Sequence, residues 1–369
     1  MPPAPDSSFV LQDTLNYALG RPQVTAVLKQ HATDFKVDEE LGFSFAGDGE
    51  HLYLRVRKRN HSTLDIARRL AKTLKLREVD VGYAGMKDRR AETTQWFSVL
   101  TGDDALSRLD ALQDEELEIL ETVRNDRKLK IGSHRRNHFR LLLRDLSGSR
   151  EDLDSRLAQI GQNGVPNYFG NQRFGREASN LEQARALLTG QEDEQGREGK
   201  RNKRQGRKRR GMLYSAVRAY LFNLVLSDRI GQGNWNDYVP GDVLNLNGTQ
   251  RSFAVTPEEW DEKLQQRLLE QDIHPTGVLA GDTEKADNYL TQGAAADIED
   301  AVLAQNSDLV EGLRKHGLTA GRRPLRFKVE SLEWQWQGDD KLELGFSLSR
   351  GAYATSLLRE LCVATEPRF

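Results

Sequence analysis

Cysteine is almost missing from this chain. Cys362 is the only one in 369 residues, so no internal disulfide can form, and a reducing cytoplasm is the expected setting. No apolar run approaches the ~20 residues that a membrane-crossing helix needs. Met1 to Asp13 lacks the basic start and apolar stretch of a secretion signal. There is no G-x-x-x-x-G-K-S/T phosphate loop, no G-x-G-x-x-G opening a helix after a strand, and no G-x-S-x-G nucleophile turn. His134 and His138 stand four apart, but no acid of the H-E-x-x-H kind lies between them. The surrounding positive charges would also oppose a cation, so no metal is expected. These absences exclude most cofactor-driven metabolic chemistry, and no internal repeat points to a solenoid.

What is present is a globular mixture, 37% hydrophobic and 30% charged, long enough for two or three domains. The net charge is only -2, so the distribution of charge says more than its sum. Arg197 to Arg210 holds nine Lys or Arg residues against Glu198 alone, and Arg124 to Arg140 holds seven against Asp126 alone. Acids gather elsewhere, as in Asp103 to Glu121. Such separation can make one face positive on a near-neutral protein, and each cluster is equally readable as a solvated loop.

Patterning places the elements. Leu11 to Gly20 reads as an extended leader. His51 to Lys58 alternates as a half-exposed strand. Ser62 or Thr63 can cap a helix running to about Leu76, with Leu64, Ala67, Leu70, Ala71 and Leu74 on its buried stripe. Val79 to Ala84, Gln95 to Leu100, Glu118 to Val123 and Phe139 to Leu143 read as strands, and Leu153 to Ile160 as a helix. Past the turn-rich, aromatic stretch Gly164 to Gly170, helices are expected over Asn180 to Leu188, Leu213 to Arg229, Pro257 to Glu270 and Ile298 to His316. The charged tract from Gly190 to Arg210 reads as a mobile loop. Strands return at Leu325 to Trp336 and Leu342 to Leu348, and Thr355 to Cys362 closes as an amphipathic helix. Strands at both ends with helices between them imply an insertion inside a mixed α/β domain.

One constellation carries chemistry. In Gly82 to Phe97, Asp88 stands at a glycine turn bracketed by Lys87, Arg89 and Arg90. Neighbouring cations favour the charged carboxylate, and an ionised Asp can act as nucleophile or base towards a sugar carbon. The plainer alternative is a turn aspartate in a surface ion pair.

The stretch resembles the G-x-K-D-x-x-A-x-T-x-Q signature of the TruD family of tRNA pseudouridine synthases, with Gly85, Lys87, Asp88, Ala91, Thr93 and Gln95 in register. Asn137-His138-Phe139 looks like the family's N-x-F motif. Gly164 to Gly175 is similar to the segment that opens its insertion domain, and Gly351 to Thr355 with Leu358 to Leu361 to its C-terminal motif. Lys29 and Asp34-Phe35 match a basic residue and an aspartate-phenylalanine near the start. Two departures stand out: Gln30 to Thr33 lacks the proline common there, and the tract from Gln191 to Arg210 is unusually long and basic.

The resemblance implies an α/β (α+β, mixed) fold: a pseudouridine synthase catalytic domain with a mixed, largely antiparallel sheet, formed by 1–163 together with 326–369. Residues 164–325 would be an inserted, mainly helical α/β domain. It implies that uridine 13 in the D arm of tRNA is isomerised, with Asp88 as the catalytic carboxylate attacking ribose C1′ or removing a C2′ proton. Phe35, Phe139 and Tyr353 are the implied pocket walls, although aromatics at strand ends also serve as plain core. Asn137 would orient Asp88 or read the base, Lys87 would pair with Asp88 or a phosphate, and Lys29 with the basic run would touch phosphates. The reaction exchanges no electrons and acquires no group, so no cofactor is expected. tRNA is the expected partner, and the lack of an apolar seam favours a monomer. A noncatalytic RNA-binding or RNA-chaperone protein would share the basic tracts and need no Asp88. A glycosidase would need a second carboxylate to activate water, for which Glu92 is the nearest candidate.

Overall fold

The computed structural model describes residues 14–102, 106–175, 178–190, 203–284, 286 and 290–367. The chain divides into two compact units. The first runs over Pro22–Ser155, Val329–Ala352 and Leu361–Phe369; the second takes Arg156–Lys328 with Tyr353–Glu360 and the chain's start up to Arg21.

The first unit is built on one mixed sheet, ten-stranded among the described residues. Its central path runs Glu330–Trp336, Leu342–Ser349, His134–Ser147, Phe35–Leu41, Glu92–Leu100, His51–Lys58 and Leu117–Asn125. Pairing along that path is antiparallel except between Phe35–Leu41 and Glu92–Leu100, which run parallel. A short strand, Thr25–Val27, pairs in parallel with the tail strand Val363–Thr365, so the ends of this unit lie side by side.

A helix over Thr63–Leu74 covers part of one face, packing Ile66, Ala67, Leu70 and Leu74 against Leu52, Leu54, Val56, Phe97 and Val99. Ser62 caps it. The Ser62 hydroxyl accepts from the Asp65 amide at 3.2 Å, and the Asp65 carboxylate accepts from the Ser62 amide at 2.9 Å, a reciprocal capping box. The cap sets the helical phase, and the buried stripe becomes Thr63, Ile66, Ala67, Leu70, Ala71 and Leu74. Leu64, expected inside, lies outside it and is 39% exposed.

Other boundaries also shift. Val79 to Ala84 is a 3-10 turn over Glu78–Asp80 followed by only a two-residue strand, Gly82–Tyr83. The strand starting near Phe139 is far longer, His134–Ser147, and it forms the backbone of the site. The expected strand Leu325 to Trp336 breaks into Arg326–Phe327 and Glu330–Trp336, one in each unit.

The second unit centres on a long helix, Lys203–Gly231, whose Leu213, Val217, Leu221 and Phe222 sit in a core with Tyr168, Phe169, Leu181 and Leu309. That helix starts ten residues earlier than the apolar pattern announces. Its first turns are basic, so periodicity gives no signal there, and the end of the tract read as a loop is helical. The remainder, 191–202, lies outside the described residues. Ile298 to His316 is two helices, Gly293–Ala304 and Ser307–Lys315. A four-stranded sheet (Ser252–Ala254, Val243–Leu246, Ile273–Leu279, Gly321–Pro324) accompanies the helices. Its short strands carry too little alternation to be read from sequence. Gly164 takes a φ of +76°, and a Cβ there would fall 2.7 Å from the Phe327 carbonyl oxygen, which fixes the residue type at this turn.

Candidate active site

Asp88 lies in the loop joining Gly82–Tyr83 to Glu92–Leu100, and several hydrogen bonds hold that loop. The Gly85 carbonyl accepts from Gln95 Nε2 at 3.2 Å, and the Lys87 amide donates to Thr63 Oγ1 at 2.8 Å. Thr63 in turn donates to Gln95 Oε1 at 2.8 Å. The Asp88 carbonyl accepts from Lys58 Nζ at 3.0 Å, and Arg89 Nε donates to the Asn60 carbonyl at 2.8 Å. At the loop's start Gly82 meets the Leu129 carbonyl so closely that a Cβ would sit 2.5 Å from it. The loop is therefore fixed against the Lys58-to-Thr63 turn.

The carboxylate itself is bound at both oxygens. Lys29 Nζ donates to Asp88 Oδ2 at 2.5 Å, and the Arg90 amide donates to Oδ1 at 3.0 Å. Its side chain keeps 39% of its surface exposed, whereas that of Lys29 keeps 9%. Burial pushes the Asp88 pKa up, but the hydrogen bond and charge of Lys29, the Arg90 amide and the charge of Lys58 together outweigh it. The net result lies below the usual carboxylate value, so the group is ionised at neutral pH.

Lys29 adopts φ +56°, in the left-handed region that costs a non-glycine residue roughly 1 kcal/mol or more. The surrounding structure enforces this conformation. Leu28 donates its amide to the Thr365 carbonyl at 2.8 Å, and Lys29 Nζ also meets Glu366 Oε1 at 3.0 Å. Arg90 approaches the other oxygen of Glu366 at 3.7 Å and donates to the Pro367 carbonyl at 2.9 Å.

Phe35 follows Asp34, which accepts from the His31 amide at 2.8 Å and holds Arg144 through two bonds at 2.8 and 3.0 Å. That anchor fixes the turn and aims Phe35 at the sheet. The Lys29 ammonium lies 4.7 Å from the Phe35 ring centre, a cation-π distance. Phe35 meets Phe139 edge-on at 6.1 Å, and Phe139 stacks on Phe346 at 5.1 Å and 15°. Register explains the cluster: Val37 pairs with Phe139, and Phe139 with Phe346, so these side chains share a face.

On the same face, one pair further along, Glu39 stands opposite Asn137. Lys87 Nζ meets Glu39 Oε2 at 2.9 Å and also donates to the Asn137 amide oxygen. The Lys87 and Glu39 side chains are nearly or wholly buried, and Glu39 Oε1 also accepts from the Trp96 amide at 3.2 Å. Asn137 thus bonds to Lys87, and the Asp88 oxygens bond to Lys29 and Arg90.

Lys29, Phe35, Lys87, Asp88, Asn137 and Phe139 all belong to the first unit and are joined by these contacts. Tyr353 belongs to the second, 42% exposed and immediately before the Ala354–Leu361 helix. Within that unit it lies near enough to Arg323 to bear on its charge. Arg323 lies 4.0 Å over the Phe169 ring and bonds Asn167 Oδ1 at 2.5 Å, which organises the aromatic stretch after Gly164. Glu92, the candidate second carboxylate, is paired with Arg59 at 2.5 Å and Lys36 at 3.5 Å. Lys36 alternates with Phe35, so Glu92 serves the opposite face of the sheet. The basic run Arg124 to Arg140 does not form one free surface. Arg136 pairs with Glu330 and Arg140 meets Glu343 at 3.4 Å, while Lys128 donates to the Val79 carbonyl at 2.6 Å. Sequence reading missed Glu39, Lys58, Phe346 and Glu366. Alternation along Phe35–Leu41 and His51–Lys58 puts Glu39 and Lys58 on the faces of their apolar neighbours, but their partners, like Phe346 and Glu366, depend on contacts distant in the chain.

A family model described as "tRNA pseudouridine synthase D (TruD)" matches residues 12–195 and 178–361. The chain is 43% identical over 352 residues to the tRNA pseudouridine synthase D of Nitrosococcus oceani, covering 95% of this chain and 94% of that one. The counterpart from Methylococcus capsulatus is 41% identical over 349 residues, again covering 95% and 94%. The fold matches that of the putative tRNA pseudouridine synthase D from Methanosarcina mazei with a TM-score of 0.72 over 94% of this chain and 95% of that one. Identity there is 23%, so this likeness speaks for the mixed α/β fold. The chain belongs to the TruD family of tRNA pseudouridine synthases.

Proposed function

We propose that this protein converts uridine 13 in the D arm of tRNA to pseudouridine, with Asp88 as the catalytic carboxylate. The reading is carried by one observation: an ionised, partly exposed carboxylate whose Lys29 partner lies over Phe35, the first ring of the Phe35–Phe139–Phe346 wall. The reaction cleaves the bond from ribose C1′ to uracil N1 and rejoins the base through C5. N1 ends protonated and C5 loses its proton. Both routes open to an ionised carboxylate, addition at C1′ and removal of the C2′ proton, require an oxygen that is charged before substrate arrives. The clamp by Lys29 and the Arg90 amide meets that need.

The uridine must leave its stack to reach Asp88, at a cost of a few kcal/mol. Stacking on Phe139 would offset part of it, since aromatic contacts hold bases by about 1–3 kcal/mol each. Lys87 and Asn137 form a polar edge on the same face of the sheet. Residues 1–163 with 326–369 act as the catalytic domain and 164–325 as the insertion that helps read tRNA shape. The enzyme works in the cytoplasm as a monomer and uses no cofactor.

The test maps pseudouridine in tRNA from cells lacking the gene, complemented with wild-type protein or with Asp88→Asn. Position 13 is expected to be modified only with the wild-type copy. Modification at that position in the uncomplemented cells would overturn the assigned target.

A further inference from the structure

Lys58 is fully buried, at 0% exposure, yet no carboxylate bonds it. It closes the His51–Lys58 strand, flanked in register by Thr93 and Leu117. Its ammonium donates to two backbone carbonyls, His61 at 2.5 Å and Asp88 at 3.0 Å. The charged groups that bear on it are Asp88 and Lys87 from the loop and Asp65 from the Thr63–Leu74 helix. A buried cation is costly and is kept only where its hydrogen bonds are made. Here they satisfy two carbonyls, and one of the two belongs to Asp88 itself. Lys58 ties the carbonyl of Asp88 to the His61 turn, and its positive charge favours the ionised carboxylate.

We propose that Lys58 is a positioning residue for the Asp88 carboxylate, acting through the backbone of the loop and through its charge. The inference rests on Asp88 being the catalytic group. Burial brings the Lys58 pKa down to about 8, with Asp88 working against the shift and Lys87 for it. The ammonium therefore loses its charge just above neutral pH, and turnover declines there. Fold stability moves the other way. The unfolded lysine titrates near 10.5, so between about 8 and 10.5 the unfolded chain binds more protons, and the folded state gains as pH rises.

The experiment measures kcat and KM for tRNA, pH profiles and melting for the wild type, Lys58→Met, Lys58→Arg and Asp88→Asn. Lys58→Met leaves two carbonyls without a donor and is expected to melt lower than the wild type, while kcat of the folded variant falls on the order of 100-fold, the usual cost of a misplaced catalytic group. Its KM should stay within roughly threefold. Lys58→Arg keeps its charge and is expected to restore part of kcat and to lose the decline near pH 8. A folded Lys58→Met with wild-type kcat would overturn the proposal. If that variant does not fold, an unchanged alkaline decline in Lys58→Arg overturns it instead. An active Asp88→Asn would sink the underlying reading, whereas a dead Asp88→Asn beside a fully active Lys58→Met sinks only the role of Lys58.

Discussion

The two faces of the first unit's sheet are made by alternate residues of the same strands, and they treat charge in opposite ways. One face carries Arg55, together with Lys36, Asp38, Arg57, Arg136, His138 and Arg140, which line an open cleft of about 460 Å³. Its charges are paired at the surface: Arg55 with Asp38 at 2.7 Å, His138 with Glu40 at 2.9 Å, and Arg57 with Glu118. The other face holds few ionised groups, buried and each fixed from several sides: Glu39 with Lys87, and Lys58 on two carbonyls. Exposed pairs contribute little because water competes for them. Buried charges carry a solvation cost that only specific geometry offsets. Charge is abundant on the first face and consequential on the second.

Substitutions can break this contrast, beginning with the largest effect. Glu39→Gln leaves the Lys87 ammonium buried with only amide partners, and it should lower unfolding free energy by about 3–5 kcal/mol in denaturant titration. Phe139→Ala removes the ring stacked on Phe346 and the surface proposed for the target base. It should weaken kcat/KM by roughly ten- to a hundredfold, about 1–3 kcal/mol, in addition to a core penalty visible on melting. On the open face, Arg57→Ala should change stability by less than about 1 kcal/mol and leave kcat alone. A loss there as large as that of Glu39→Gln would abolish the distinction.

The acid side of the pH profile sharpens it further. The Asp88 pKa lies below its ordinary 3.8 in the folded protein, so its stabilising charge is complete above the unfolded value and lost only as pH falls through the lower one. From about pH 7 down to about pH 5, kcat for tRNA should stay level. A half-point near pH 6 would mean that Asp88 is not the group being titrated, or is not held as described.

The same contrast explains what could be read in the sequence. Asp88 was legible because its turn carries a local signature, but the cations that act on it, Lys29 and Lys58, are distant in the chain, while its neighbours Lys87 and Arg89 bond elsewhere. The Phe35–Phe139 contact followed from strand register once Phe35–Leu41 was seen to lie beside His134–Ser147. The capped helix was legible from Ser62 to Asp65, though its phase was one position out at Leu64. Glu39, Lys58 and Phe346 were not, because each meets the site through chain separations that only the sheet order closes. Lys58 shows the difficulty most plainly: alternation puts it on the face of Leu54 and Val56, opposite the half-exposed Arg57, but only the strand pairing and the Asp88 loop reveal what it bonds. The four-stranded sheet of the second unit was hidden by three short strands and by Ile273–Leu279, buried along nearly its whole length and so without alternation, and the long helix's basic start by the lack of apolar residues.

The most direct measurement is release of tritium from C5 of labelled uridine in tRNA under single-turnover conditions, comparing the wild type with Asp88→Asn at matched tRNA binding. The wild type is expected to release tritium with no change in RNA mass, and the variant to release none although it still binds tRNA and melts normally. Undiminished release by Asp88→Asn, or free uracil in place of an isomerised base, would contradict it.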